Sequence, residues 1–277
     1  MNEKTTSDLI ENGYSVINNC LDKKLLDSIK ANINNNLITL LKENKKDSFG
    51  IDISKNYYEV KKIIPQYRLQ VLLARKLVNE ELITKLFLSK KILEELIVLL
   101  GPDIEYLSDF ELAINDKDVV DDDYLIKKYH QEFWSGMGLE AIQLWIPIHM
   151  LDGMGSIEII KKSHTWGHIP HRNREPLEIP TNHESEIINV KTGSVVIMSA
   201  LTLHRTIKNN HEDPRIALPI TVRNFYHPNT GNSNLFNYKK LNLSFFSKIR
   251  RILGNPHYSP FRTLNQKRKD MFKKEDD

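Results

Sequence analysis

The sequence predicts an α+β protein in which a helical layer flanks an antiparallel sandwich or barrel. Three observations carry this. Helical patterns fill most of the first hundred residues, short strand patterns follow Pro102, and strand and helix nowhere alternate as parallel βαβ units require. The helical part opens at residues 7–45, where Ser7 and Glu11 mark a start and apolar residues recur at mixed three and four spacing from Leu25 to Leu41. After the glycine break, Gly13–Ile17 (GYSVI) reads as a short strand. Residues 66–100 are helical again, with apolar and charged faces, until Gly101 and Pro102 stop them. Then come five strands: Glu105–Asn115, Ala141–His149, Ser156–Lys161, Ser194–Ser199 and Arg215–Tyr226. The turns LDGMG, KTGS and NNHEDP separate them. DGMG is glycine-rich but opens no helix, so it reads as a hairpin connection and not as a phosphate loop. Beyond about residue 230 the pattern is irregular.

With 277 residues, 40% of them hydrophobic, the chain can bury a substantial core. It is expected to form a single domain, 1–277: a helical flank over 1–102, a strand-rich core over 103–228 and an irregular basic segment over 229–277. The lone cysteine, Cys20, allows no internal disulfide, and neither a signal peptide nor a membrane-spanning run is visible. A soluble cytoplasmic protein is expected. The net charge of +3 hides an asymmetry: from Lys239 onward there are 11 basic and 4 acidic residues, and the rest holds 28 basic and 32 acidic, a net of −4. Such a tail suits nucleic acid or an anionic surface, but a solvated terminal segment is the preferred reading and nucleic acid is not the expected partner.

Two His-x-acid pairs occur, and composition alone yields about one. His211 and Asp213 sit in KNNHEDPR, a polar cluster ended by proline, which is turn chemistry. His130 and Glu132 sit in YHQEF, just before a strong strand. If that stretch is extended, residues i and i+2 share a face and the imidazole and carboxylate converge. A metal centre needs a third ligand, and His204, following an apolar strand, is the best candidate. Two histidines and one carboxylate with open positions suit non-haem Fe(II). If the chain reverses at the turn after His204, Arg215, 11 residues on, starts the neighbouring strand and comes back beside the metal, where its fork can bind a carboxylate. Arg223 competes; it shares that parity but lies eight residues on, roughly 26 Å of extended chain. For either arginine, an ion pair is the structural alternative.

Taken together, HQE, AIQLWIPIHMLDGMGSIEIIKKSHTWGH, KTGSVVIMSALTLHRT and PRIALPITVRNFY resemble the phytanoyl-CoA dioxygenase family of Fe(II)- and 2-oxoglutarate-dependent oxygenases. The resemblance spans roughly residues 129–226, with a weaker match from NGYSVI onward. It implies a double-stranded β-helix, or cupin-like jelly roll, with helices packed on one side. His130, Glu132 and His204 match the iron ligands, Arg215 and Thr206 the partners of the far carboxylate of 2-oxoglutarate, and Trp145 a tryptophan beside that cosubstrate. Gln143, of the same parity as Trp145, is expected to face the interior as a site residue. The family's usual carboxylate is aspartate; Glu132 is one methylene longer and is expected to reach the metal still. Any carboxylate there argues against a halogenase.

The implied activity is oxidation of a small-molecule substrate, commonly hydroxylation, with 2-oxoglutarate and dioxygen converted to succinate and carbon dioxide. A metal-binding barrel without oxygenase activity, either an isomerase or an organic-acid binding protein, is the rival. His164, His168 and His171 match a structural loop and not a second metal site. Trp134 and Met137 are candidates to line a substrate pocket or simply to pack. Leu177–Ile187 and Asp116–Asp123 are candidate lids.

Overall fold

The computed structural model describes residues 3–44, 51–79, 81–110, 112–118, 127–227 and 238–253. Six helices and one strand come first: α1 (Glu3–Asn12), β1 (Tyr14–Ile17), α2 (Lys23–Glu43), α3 (Ile53–Ile63), α4 (Gln66–Asn79), α5 (Leu82–Phe87) and α6 (Lys90–Leu100). Asp22 and Asp52 cap α2 and α3 by accepting from the amides of Lys24 and Ser54. The long helical reading of 66–100 breaks into three helices, because Glu81 takes a left-handed conformation and Ser89 a non-helical one. The expected Glu105–Asn115 strand is two: β2 (Ile104–Leu107) and β3 (Ala113–Asn115). Then follow β4 (Ile142–His149), β5 (Ile157–Ile160), β6 (His171–Arg172), β7 (Glu175–Pro176), β8 (Ser185–Ile187), β9 (Val195–Ser199), β10 (His204–Thr206) and β11 (Arg215–Asn224). Past residue 230, where irregular chain was expected, lie β12 (Tyr238–Asn242) and α7 (Phe245–Ile252). The rest of that segment, 229–237 and 254–277, lies outside the described residues.

The large sheet runs β1-β9-β4-β11-β2-β12, with β3 also on β11; the small sheet runs β10-β5-β8. Both are antiparallel. Both halves of the expected Glu105–Asn115 strand bond to β11, β3 at its start and β2 at its end, with a bend between them. DGMG is not a hairpin: it carries the chain from β4 in the large sheet to β5 in the small one. KTGS and NNHEDP likewise cross between sheets, from β8 to β9 and from β10 to β11. Arg215 therefore starts a strand of the facing sheet and not the neighbour of β10.

Alternation along the strands builds two layers of core. Leu144, Ile146, Ile148, Ile216, Leu218, Ile220 and Val222 turn one face of the large sheet to the helices, against Leu37, Leu41, Leu69 and Leu73. Each such side chain contributes roughly 1.5–3 kcal/mol by leaving water. The opposite parity, Trp145, Val196, Met198 and Ala217, packs against Ile157 and Ile159 of the small sheet. Polar side chains in that inter-sheet layer (Gln143, Thr221 and Arg215, all buried) are the unusual ones, since burying a polar group costs energy unless it has partners.

Candidate metal centre

His130, Glu132 and His204 come together. Their ligand atoms all lie within 4.8 Å of one another, and all three residues are buried. Backbone pairing sets this up. His130 forms an isolated antiparallel bridge with His204, with N–H···O distances of 2.9 and 3.1 Å, so the imidazoles leave neighbouring strands on the same side, ring centroids 4.3 Å apart. Extended chain ends immediately after: Gln131 is extended, but Glu132–Ser135 is a 3₁₀ turn. The carboxylate converges all the same, swung by the turn and not by strand alternation.

Hydrogen bonds choose the tautomers. His130 Nδ1 lies 2.7 Å from the Lys128 carbonyl and His204 Nδ1 2.9 Å from that of Thr202, so each Nδ1 carries the proton. Each Nε2 then presents a lone pair, at 3.4 Å (His130) and 3.6 Å (His204) from Glu132 Oε1. Burial, with the neighbouring His204 adding to it, pushes His130 down to about 4, so its ring is neutral. Burial would raise the Glu132 carboxyl, but the positive charge of Lys127 counters it, and the group is held well below the usual carboxylate range. Three acceptors thus face one another with no proton among them, and buried His130 Nε2 has no hydrogen-bond partner. A divalent cation satisfies such a set, and the carbonyl-bound Nδ1 protons are the orienting contacts that metal-ligating histidines use. The donors fit iron.

Arg215 lies on the facing sheet and is 1% exposed. Its guanidinium donates to the carbonyls of Met154, Ser156 and Ile207 at 3.4, 3.2 and 3.0 Å and to Asn115 Oδ1 at 3.0 Å. All of these acceptors are neutral, Nε has no partner, and burial alone pushes the group down to about 10. Trp145 lies 5.8 Å from the guanidinium. Arg223 is committed elsewhere: it pairs with buried Glu105 at 2.8 Å, both 1% exposed, and stacks on Tyr238. The two arginines separate on that difference.

Thr206 faces the inter-sheet layer opposite Ile157, two residues beyond His204. Gln143 accepts from the Thr221 hydroxyl at 2.8 Å. Gln143 and Thr221 line a cavity of about 240 Å³ together with Glu132, Asn115, Lys127 and Met137, whereas Thr206 lines a separate pocket with Lys127, Tyr129 and Arg205. Of the two residues expected after the ligand pair, Met137 therefore reaches the cavity, while Trp134 packs beside Ile160, Ile169 and Leu203 and stacks on His171. Among the described residues, His164, His168 and His171 form no second cluster; His164 bonds the Ile10 carbonyl. His211 and Asp213 make a turn, the Asp213 amide donating to His211 Nδ1 at 3.0 Å. The end of the Leu177–Ile187 stretch is strand β8. Asp116 is anchored to Lys61, and 119–123 lie outside the described residues.

Sequence reading missed three contributors. Gln131 looked like a spacer, yet its buried amide donates to the carbonyls of Gly167 and Leu201 and accepts from the Ile169 amide, clamping the ligand segment to two loops. Asn115 closes β3 and holds Arg215. Lys127 supplies the charge that keeps Glu132 ionised. No spacing rule marks any of them; only their burial and partners do.

The fold and site define a class: an antiparallel two-sheet protein flanked by helices, with a buried three-ligand centre of the open kind that non-haem metalloenzymes use. The chain belongs to the phytanoyl-CoA dioxygenase family, whose model matches residues 9–217. Iron, 2-oxoglutarate and dioxygen are accordingly its cofactors. Among solved structures it is similar to the non-haem monooxygenase ThoJ in its apo form, with a TM-score of 0.59 at 16% identity over 87% of this chain and 84% of that one. It is also similar to the epimerase SnoN in complex with Fe3+, alpha-ketoglutarate and nogalamycin RO, with a TM-score of 0.51 at 13% identity over 80% and 83%. These are likenesses of fold. No curated protein matches by sequence. Among the described residues, no helix is long and apolar enough to cross a membrane.

Proposed function

We propose that the protein is an Fe(II)- and 2-oxoglutarate-dependent dioxygenase that hydroxylates a small-molecule substrate, on a double-stranded β-helix whose two layers are the sheets described above. One observation carries the reading: a proton-free His₂Glu cluster stands on one wall of the inter-sheet space, and a buried arginine without an acidic partner among the described residues stands on the other. Each is costly alone, and a metal-bound dicarboxylate satisfies both.

Dimensions support the pairing. The Arg215 guanidinium bonds the Ile207 carbonyl, three residues beyond His204. At about 3.3 Å per residue this sets it on the order of 10 Å from the ligands. A five-carbon diacid covers about 5 Å between its carboxyl carbons. A metal–oxygen bond of about 2 Å and a charge-assisted hydrogen bond of about 3 Å complete the span.

His130, Glu132 and His204 would hold the iron, which when bound supplies the oxidising chemistry that couples decarboxylation of 2-oxoglutarate to attack on a C–H bond. Arg215 receives the far carboxylate with its fork, and the Thr206 hydroxyl adds a donor beside it. Trp145 gives that end an apolar wall, which strengthens the ion pair by excluding water. Gln143, Thr221 and Met137 line the space beside Glu132 in which substrate is oriented.

Purified protein with Fe(II), ascorbate and 2-oxoglutarate is expected to form succinate slowly without substrate, and His130→Ala to abolish it. Absence of both 2-oxoglutarate binding and turnover would favour a metal-binding barrel of another kind. A substrate screen read by succinate release, with product analysis, separates hydroxylation from other oxidative outcomes.

A further inference from the structure

Helix α7 is built inside out. Its N-cap Ser244 is tied to Asp103 by two hydrogen bonds, of 2.8 and 3.2 Å, and Ser247, 3% exposed, turns inward to Ser244. The apolar side chains point to water: Phe245 is 71% exposed, Phe246 75%, Ile252 84% and Leu253 79%, with Ile249 between them. At positions i, i+1, i+4, i+7 and i+8 they form one stripe. Other exposed apolar residues, such as Ile10, Tyr67 and Leu139, stand on separate elements. A concentrated patch of this kind marks a surface that meets something apolar.

Charge says what. Lys248 on α7 and Lys239 and Lys240 on the strand before it are exposed, and the sequence from Lys239 onward carries 11 basic against 4 acidic residues. A partner must therefore be apolar in depth and negative at its surface. Nucleic acid offers the charge but gives five apolar side chains nothing to enter. A bilayer bearing anionic headgroups offers both.

We propose that α7 docks the protein on an anionic lipid bilayer, lying in the headgroup plane with its two phenylalanines, Ile249, Ile252 and Leu253 turned to the acyl boundary and the lysines toward acidic headgroups. The chain then sits on a membrane without crossing it. This does not depend on the iron centre.

The test is co-sedimentation of the full chain with vesicles of phosphatidylcholine alone or with about one third phosphatidylserine. Binding is expected to the mixed vesicles, at least about tenfold weaker to the neutral ones and weakened by added salt. Phe245→Ser with Phe246→Ser, both exposed and so expected to leave the melting temperature unchanged, is expected to lower binding by at least about tenfold. Three results overturn the proposal: no binding to mixed vesicles, binding indifferent to the double substitution, or a concentration-dependent dimer that the double substitution dissolves.

Discussion

Arg215 is the most informative residue to change. Arg215→Met removes the guanidinium but keeps much of its apolar stem. Each hydrogen bond between charged partners contributes about 1.5–3 kcal/mol, so loss of a bidentate contact to the far carboxylate removes about 3–6 kcal/mol, or roughly a hundredfold to ten-thousandfold in affinity for 2-oxoglutarate. Arg215→Lys keeps the charge and one donor, and is expected to lose roughly ten- to a hundredfold. Trp145, 5.8 Å from the guanidinium, is a built-in reporter: its fluorescence read during an anaerobic titration gives the affinity directly. Melting of the metal-loaded variants checks that the fold survives, since four acceptors lose their donor. If Arg215→Met binds 2-oxoglutarate within about threefold of the parent while holding metal, the carboxylate is received elsewhere and the reasoning from the unpaired buried cation fails.

Arg223→Met removes a buried partner of Glu105 and is expected to cost about 3–5 kcal/mol in chemical denaturation, largely recovered by also making Glu105→Met, with little effect on 2-oxoglutarate affinity in the folded fraction. Gln131→Ala frees three backbone groups and is expected to weaken iron binding roughly ten- to a hundredfold while leaving all three ligands in place; Gln131→Glu, which keeps the acceptor but not the donors, recovers only part. The metal-free protein is expected to be acid-labile. His130 titrates near 4 folded and near 6.5 unfolded, so the unfolded chain binds more protons between those values and stability falls as pH drops through them. From pH 7.5 to 5 this amounts to on the order of 2 kcal/mol, or roughly 5 °C in melting temperature. Glu132, lowered on folding, acts in the same direction below its unfolded value. His130→Gln is expected to flatten that slope.

The site was more legible than the scaffold that positions it. His130, Glu132 and His204 could be paired from sequence because ligand chemistry needs particular residue types, and few combinations satisfy it. The strands of alternating or continuous apolar character appeared within one or two residues of their expected bounds, as Ile142–His149 and Val195–Ser199 show. What failed were features decided by distant contacts. DGMG looks like a hairpin locally, and only the pairing of β5 with β10 and β8 makes it a crossing between sheets. Helix α3 was passed over although Ile53, Tyr57, Val60 and Ile64 carry its buried face at helical spacing, because a polar run precedes it. α7 escapes a sequence reading although its apolar residues recur at helical spacing, because it is only eight residues long and lies in a segment rich in Asn, Lys and Arg. From sequence, Arg215 is preferred to Arg223 on its distance from His204 and on a resemblance; that Glu105 pairs with Arg223 and not with Arg215 is a difference no spacing could show.

The most direct measurement is an anaerobic optical titration of Fe(II) in the presence of 2-oxoglutarate, followed by the visible charge-transfer band that a chelated 2-oxo acid makes with ferrous iron. One iron per chain is expected, with the band lost in His130→Ala, Glu132→Ala and His204→Ala alike. A band that survives His204→Ala, or iron bound without any band in the parent protein, would contradict a centre in which these three side chains hold the metal.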